Sequence, residues 1–101
     1  MLELRPNCEN CDKDLPPAAT DACICSYECT YCSDCVSLLE NVCPNCGGGF
    51  VPRPVRPKTE WREGVALGAN PASTKRILNS IDAPVHRDYA EKIKTIPPYE
   101  R

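Results

Sequence analysis

The chain has 101 residues, with nine cysteines, eleven prolines and a formal net charge of −2. So short a chain with so few large apolar side chains excludes an extensive hydrophobic core, and no window approaches the roughly eighteen apolar residues of a membrane-spanning helix. The near-neutral total hides a split, because residues 1–50 carry two basic and eight acidic side chains, net −6, and residues 51–101 carry ten and six, net +4.

All nine cysteines precede residue 47, and seven of the eleven prolines follow residue 51. This shift predicts a metal module over 1–50, a Pro/Arg-rich extended linker over 51–72 and a weakly helical tail over 73–101. In Met1–Asn7, Leu2 and Leu4 alternate with Glu3 and Arg5, which predicts a short strand. No basic start leads into a long apolar run here, so no export leader and no membrane partner are expected, and the cytoplasm is the expected compartment. In that setting clustered cysteines bind metal rather than pair as disulfides.

Eight of the cysteines fall into four pairs, Cys8/Cys11, Cys25/Cys29, Cys32/Cys35 and Cys43/Cys46. Three of the pairs have two intervening residues, the spacing that wraps two thiolates of one turn around a tetrahedral ion. Between the first two pairs, Asp12–Asp21 reads as a polar loop with Pro16 and Pro17. Ala22–Tyr27 reads as one strand of a hairpin, with Ile24 and Tyr27 covering the metal sites. Ser33–Asn41 has the pattern for one or two helical turns. The glycines after Cys46 permit positive φ where the chain turns tightly.

The module offers Leu2, Leu4, Leu15, Ile24, Tyr27, Tyr31, Val36, Leu38, Leu39, Val42 and Phe50 as its core. That is too little to stand alone at this length. Structural zinc supplies about 10–16 kcal/mol per site in small peptides, so the metal-free module is expected to unfold.

Beyond it, Val51–Arg62 alternates proline with arginine and reads as extended, polyproline-like and solvated. Ser73–Ile81 predicts a short helix capped by Ser73, and Pro84–Ile96 predicts a second. Neither is long enough to hold without something to pack on.

Two ligand pairings fit the cysteines. Sequential pairing groups Cys8, Cys11, Cys25 and Cys29, then Cys32, Cys35, Cys43 and Cys46. Cross-brace pairing groups Cys8, Cys11, Cys32 and Cys35 as site 1, and Cys25, Cys29, Cys43 and Cys46 as site 2. The spacing favours the cross-brace, because it resembles the RING-finger pattern. In that likeness Cys29 stands where histidine is usual, and Cys43-Pro-Asn-Cys46 parallels the final knuckle.

A closer likeness covers roughly residues 1–57. Met1–Pro17, then Ile24–Cys35, then Val42–Gly48 resemble the bacterial DUF1272 family, a domain of unknown function, and Asn70–Arg76 is similar to a segment beyond the cysteine module in some members. The resemblance implies a small bacterial protein with a RING-like zinc module, and brings no activity or partner.

The fold class expected is therefore a small metal-stabilised α+β fold, a RING-like cross-brace with two four-cysteine zinc sites and an extended, partly helical tail. Two zinc ions are the expected cofactors. Iron is the competitor, because tetrahedral sulfur ligation suits both metals. Catalysis is not expected, since all-cysteine sites are closed and no nucleophile or phosphate-binding motif appears. Ubiquitin-ligase activity is disfavoured because Asn10 and Gly47 stand where RING ligases carry an apolar residue and often an arginine.

Cys23, outside the pairs, reads as a small loop residue, or as a spare thiol in a redox-responsive protein. His86, the only histidine, reads as a solvated tail residue. The leading function is a non-enzymatic module that binds another protein. The alternatives are a metal- or redox-responsive thiol protein and, third, nucleic-acid contact through Arg53, Arg56, Lys58, Trp61 and Arg62. The bland reading of that basic stretch is a solvated linker, although the opposite charges also favour its folding back onto the module.

Overall fold

Ala22–Ile24 forms strand β1 and Thr30–Cys32 forms β2 in a computed structural model describing residues 1–101. The two pair antiparallel with Ala22 opposite Cys32 and Ile24 opposite Thr30. Their turn carries Cys25 and Cys29 at its ends and closes through Glu28 at φ 67°. Helix α1, Ser33–Leu38, follows β2 directly, and strand β3, Val51–Pro52, pairs with the free edge of β1 to give the order β2-β1-β3. The expected hairpin and short helix are thus present in a small α+β fold.

The core lies between this sheet, α1 and the N-terminal loop. Leu4, Leu15, Ala22, Tyr31, Leu39 and Val42 are buried, and six of the paired cysteines join them. Tyr31 meets Phe50 edge-on, with ring centroids 5.4 Å apart. Leu38 faces out from α1, and Tyr27 is 74% exposed, so only its backbone N–H and not its ring reaches a ligand sulfur. Met1–Asn7 makes no strand beyond a single bridge from Asn7 to Asp14. Its carbonyls go instead to later segments, Leu2 O to Arg56, Leu4 O to the N–H of Ser73 and Arg5 O to Arg53.

Segments of residues 53–101 pack against the module. Arg53 is only 4% exposed and donates to the carbonyls of Arg5 (2.8 Å), Leu15 (3.2 Å) and Pro16 (2.9 Å). Arg56 is half-buried and donates to Leu2 O and Asn70 O. The linker is extended but not uniformly solvated, because the guanidinium forks donate to carbonyls of the irregular N-terminal loop, of which those of Leu2, Arg5 and Leu15 have no backbone donor. Lys58, Trp61 and Arg62 remain exposed on a loop closed by Leu67 N to Pro57 O.

The expected helix over Ser73–Ile81 is absent. The N–H groups of Ile77, Asn79 and Ile81, at every second residue, go to Asn7 Oδ1, Glu9 O and Asn10 Oδ1. That alternation is strand-like and leaves no i→i−4 ladder. The later helix forms as α2, Ala83–Glu91, with Asp82 Oδ1 accepting the N–H of Val85 and Pro84 in its first turn.

His86 is 6% exposed, and its Nε2 lies 3.0 Å from Leu39 O. It is not a solvated tail residue: α2 lies on the end of α1, and the imidazole is a second donor to a carbonyl there that also accepts the N–H of Val42. Charge complementarity accompanies the packing, with Arg76 on Asp12 and Asp14 and Lys94 on Glu40.

Candidate metal centres

Two turns of the chain repeat the same local design. In the first, Cys8-Glu-Asn-Cys11, the N–H of Asp12 donates to Cys8 O and that of Cys8 to Lys13 O. In the second, Cys43-Pro-Asn-Cys46, the N–H of Gly47 donates to Cys43 O and that of Cys43 to Gly48 O. The residue after each second cysteine is left-handed, Asp12 at φ 63° and Gly47 at φ 78°. This curls the backbone around the sulfurs and leaves N–H groups pointing inward.

The sulfurs of Cys8, Cys11, Cys32 and Cys35 all lie within 4.8 Å of one another. Cys32 and Cys35 come from the end of β2 and the first turn of α1. The sulfurs of Cys25, Cys43 and Cys46 lie within the same distance, and Cys29 flanks Cys25 across the hairpin turn. The structure thus brings pairs one and three together, and pairs two and four, in the interleaved order. Cys23 stands apart in β1 opposite Tyr31 and Pro52. All nine cysteines are free of disulfides.

The donor sets fit a bound metal. The first cluster presents four sulfurs, the complement of a closed tetrahedral site; the second presents three within the same reach, with Cys29 beside Cys25 to supply the fourth. Each is also ringed by N–H donors that offset thiolate charge. The backbone N–H groups of Tyr27 and Gly48 lie 3.3 Å and 3.4 Å from Cys25 Sγ and Cys46 Sγ. Asn10 Nδ2 lies 3.3 Å from Cys35 Sγ, and Asn45 Nδ2 lies 3.3 Å from Cys29 Sγ. Both asparagines hold the third place of their turn, and each reaches a sulfur from the other pair in its own cluster. The sequence carries this signal as the repeated Cys-x-Asn-Cys, which cysteine spacing alone passes over.

The thiols divide by environment. Burial pushes Cys29, Cys32, Cys35 and Cys43 above the ordinary thiol value. Burial also opposes ionisation at Cys8, yet the backbone N–H groups of Cys11, Cys32 and Asn10 outweigh it and hold that thiol below the ordinary value. Burial, with Asp21 nearby, raises Cys23, which makes it a poor nucleophile at neutral pH.

The family model described as Protein of unknown function (DUF1272) matches residues 1–56, more than half of the chain and a span that holds all eight paired cysteines. The chain belongs to the DUF1272 family. An uncharacterized protein of Rhizobium meliloti (strain 1021) is 54% identical to it over 79 residues, covering 77% of this chain and 87% of that protein. The likeness therefore runs past the family span into the segment that wraps the module. No solved structure matches this DUF1272 chain. No helix in it is long and apolar enough to cross a membrane.

Proposed function

We propose that this DUF1272 protein is a non-enzymatic zinc protein of the bacterial cytoplasm. In this reading two closed four-cysteine sites, RING-like in their ligand order, hold a rigid surface for another protein. The observation that carries it is the pair of interleaved sulfur clusters, each fed by an asparagine amide and backbone N–H groups. Four thiolates leave no open coordination position for a substrate, and their electron density makes the ion a weak Lewis acid. Zinc rather than iron is the metal proposed, because two such sites with few aromatic neighbours suit a structural role better than electron transfer. The surface offered to a partner includes Leu38 on the outer face of α1 and Trp61 on its loop, both exposed. Nucleic-acid contact is the weaker reading, since Arg53 and Arg56 are spent on the chain's own carbonyls.

Elemental analysis with an absorption spectrum tests the metal, and two colourless zinc ions per chain are expected. Coloured, iron-loaded protein would overturn the structural reading in favour of electron transfer. A photo-crosslinking residue at position 38 or 61, introduced in cells, tests the partner. A discrete crosslinked protein, lost from the position-61 crosslinker on Leu38→Asp, is expected, whereas crosslinks to nucleic acid would overturn it.

A metal- or redox-responsive role is favoured by one observation, the exposure of Cys11 within the first cluster. Zinc release by dilute peroxide with Cys11 oxidised first, read by mass spectrometry, would support it over the first reading.

A further inference from the structure

The two turn asparagines differ in one respect. The amide of Asn45 is engaged with Cys29 alone, whereas Asn10 donates to Cys35 Sγ and its Oδ1 also accepts the N–H of Ile81 at 2.8 Å. Around that contact the N–H of Asn79 donates to Glu9 O at 2.7 Å, and Ile77 exchanges two bonds with the side chain of Asn7. The Ile81 side chain packs against the buried core. Residues 77–81 thus lie as a strip along the outside of the first turn, reading a backbone shape that Cys8 and Cys11 impose.

We propose that metal binding at the first cluster and docking of residues 77–81 are coupled through Asn10. Loss of the first metal releases the strip, and loss of the strip loosens the first metal. This rests on the proposal that the clusters bind metal. A primary amide is planar, so its two ends cannot be aimed independently. A metal-bound sulfur, a strong acceptor, fixes the Nδ2 end, and the Oδ1 end is then held toward Ile81. Such partners beyond the ligands orient and tune a metal site. Linkage makes the coupling reciprocal, because whatever favours docking when the metal is bound must favour the metal when the strip is docked. The first cluster then acts as the catch on residues 77–81, and the second does not.

The test uses full-length, metal-loaded protein, with metal stoichiometry, chelator-driven loss from each cluster resolved through cysteine NMR shifts, and amide hydrogen exchange at Ile77, Asn79 and Ile81. In Asn10→Ala we expect about tenfold faster loss of the first metal and faster exchange at Ile81. Asn45→Ala is expected to speed loss from the second cluster and leave the strip's exchange unchanged. Asn79→Pro removes the donor to Glu9 O without touching a sulfur, and is expected to speed loss of the first metal only. It also carries the test if Asn10→Ala fails to fold. Two bound metals with unchanged loss rates in Asn79→Pro would overturn the coupling. So would a strip whose exchange is unaltered when the first metal is chelated. A chain that binds no metal would overturn the underlying reading, and the coupling with it.

Discussion

A β-carbon built on Gly47 would lie 3.0 Å from the hydroxyl oxygen of Tyr89. The residue that lets the second turn close at φ 78° is also the one against which α2 is seated. Gly49 does a related job without positive φ, since a β-carbon there would lie 3.0 Å from Pro98 Cγ and 3.1 Å from Asn41 Nδ2. Two glycines beside the second cluster therefore serve the wrapped tail as well as the metal turn.

Gly47→Ala is expected to cost about 1–2 kcal/mol for the left-handed backbone alone, with the displaced Tyr89 adding to it. Gly49→Ala should be milder, because Pro98 lies near the chain end. Thermal denaturation of the metal-loaded variants, ranked against Tyr89→Phe and Gly47→Ala/Tyr89→Phe, separates the backbone part from the contact.

Arg53 is a buried cation with no carboxylate partner, held by three carbonyls of the N-terminal loop. Replacing it with methionine keeps the stem and orphans the carbonyls of Arg5 and Leu15, while Pro16 O retains the N–H of Ala19, with an expected loss of about 2–4 kcal/mol. Arg53→Lys should recover little, because an ammonium cannot present the same fork. Urea midpoints at fixed metal load measure both.

His86 Nε2 faces Leu39 O, so that nitrogen carries the proton. His86→Phe fills similar volume but leaves Leu39 O with the N–H of Val42 alone, at an expected cost of about 0.5–1.5 kcal/mol. His86→Gln, which keeps an N–H donor, is expected to restore part of that in the same denaturation assay.

The thiol environments set the direction of pH dependence. Cys29, Cys32, Cys35 and Cys43 are raised by burial, so in the metal-free fold they stay protonated at neutral pH. Their contribution to a metal-free fold is present below the ordinary thiol value of 9.0 and is lost as pH rises through the folded values. Metal binding reverses the sign, because each ion must displace those protons and its affinity climbs with pH. Chelator-challenged protein is expected to retain metal better at about pH 8 than at about pH 6. Equal retention would show that the thiols are ionised before metal arrives.

How much of the fold is legible in the sequence depends on the range of the forces involved. The cysteine spacing is local and carried the interleaved clusters, the hairpin between Cys25 and Cys29 and the short helix after Cys32. The extended path of Ser73–Ile81 was not legible, because its own pattern of Ile77, Leu78 and Ile81 suits a helix and only the acceptors at Asn7, Glu9 and Asn10, some seventy residues earlier, override it. Arg53 and His86 were misplaced for the same reason. A basic or imidazole side chain in a proline-rich stretch looks solvated until the carbonyl it satisfies is known. The charge split between the two halves did point to contact between them, and Arg76 on Asp12 and Asp14 is where it is realised.

The most direct test is an NMR experiment on the full chain loaded with a spin-active cadmium isotope, correlating each metal resonance to cysteine side-chain protons. Two resonances are expected, one coupled to Cys8, Cys11, Cys32 and Cys35, the other to Cys25, Cys29, Cys43 and Cys46. A resonance coupled to Cys8, Cys11, Cys25 and Cys29, or a single metal per chain, would contradict the two interleaved centres.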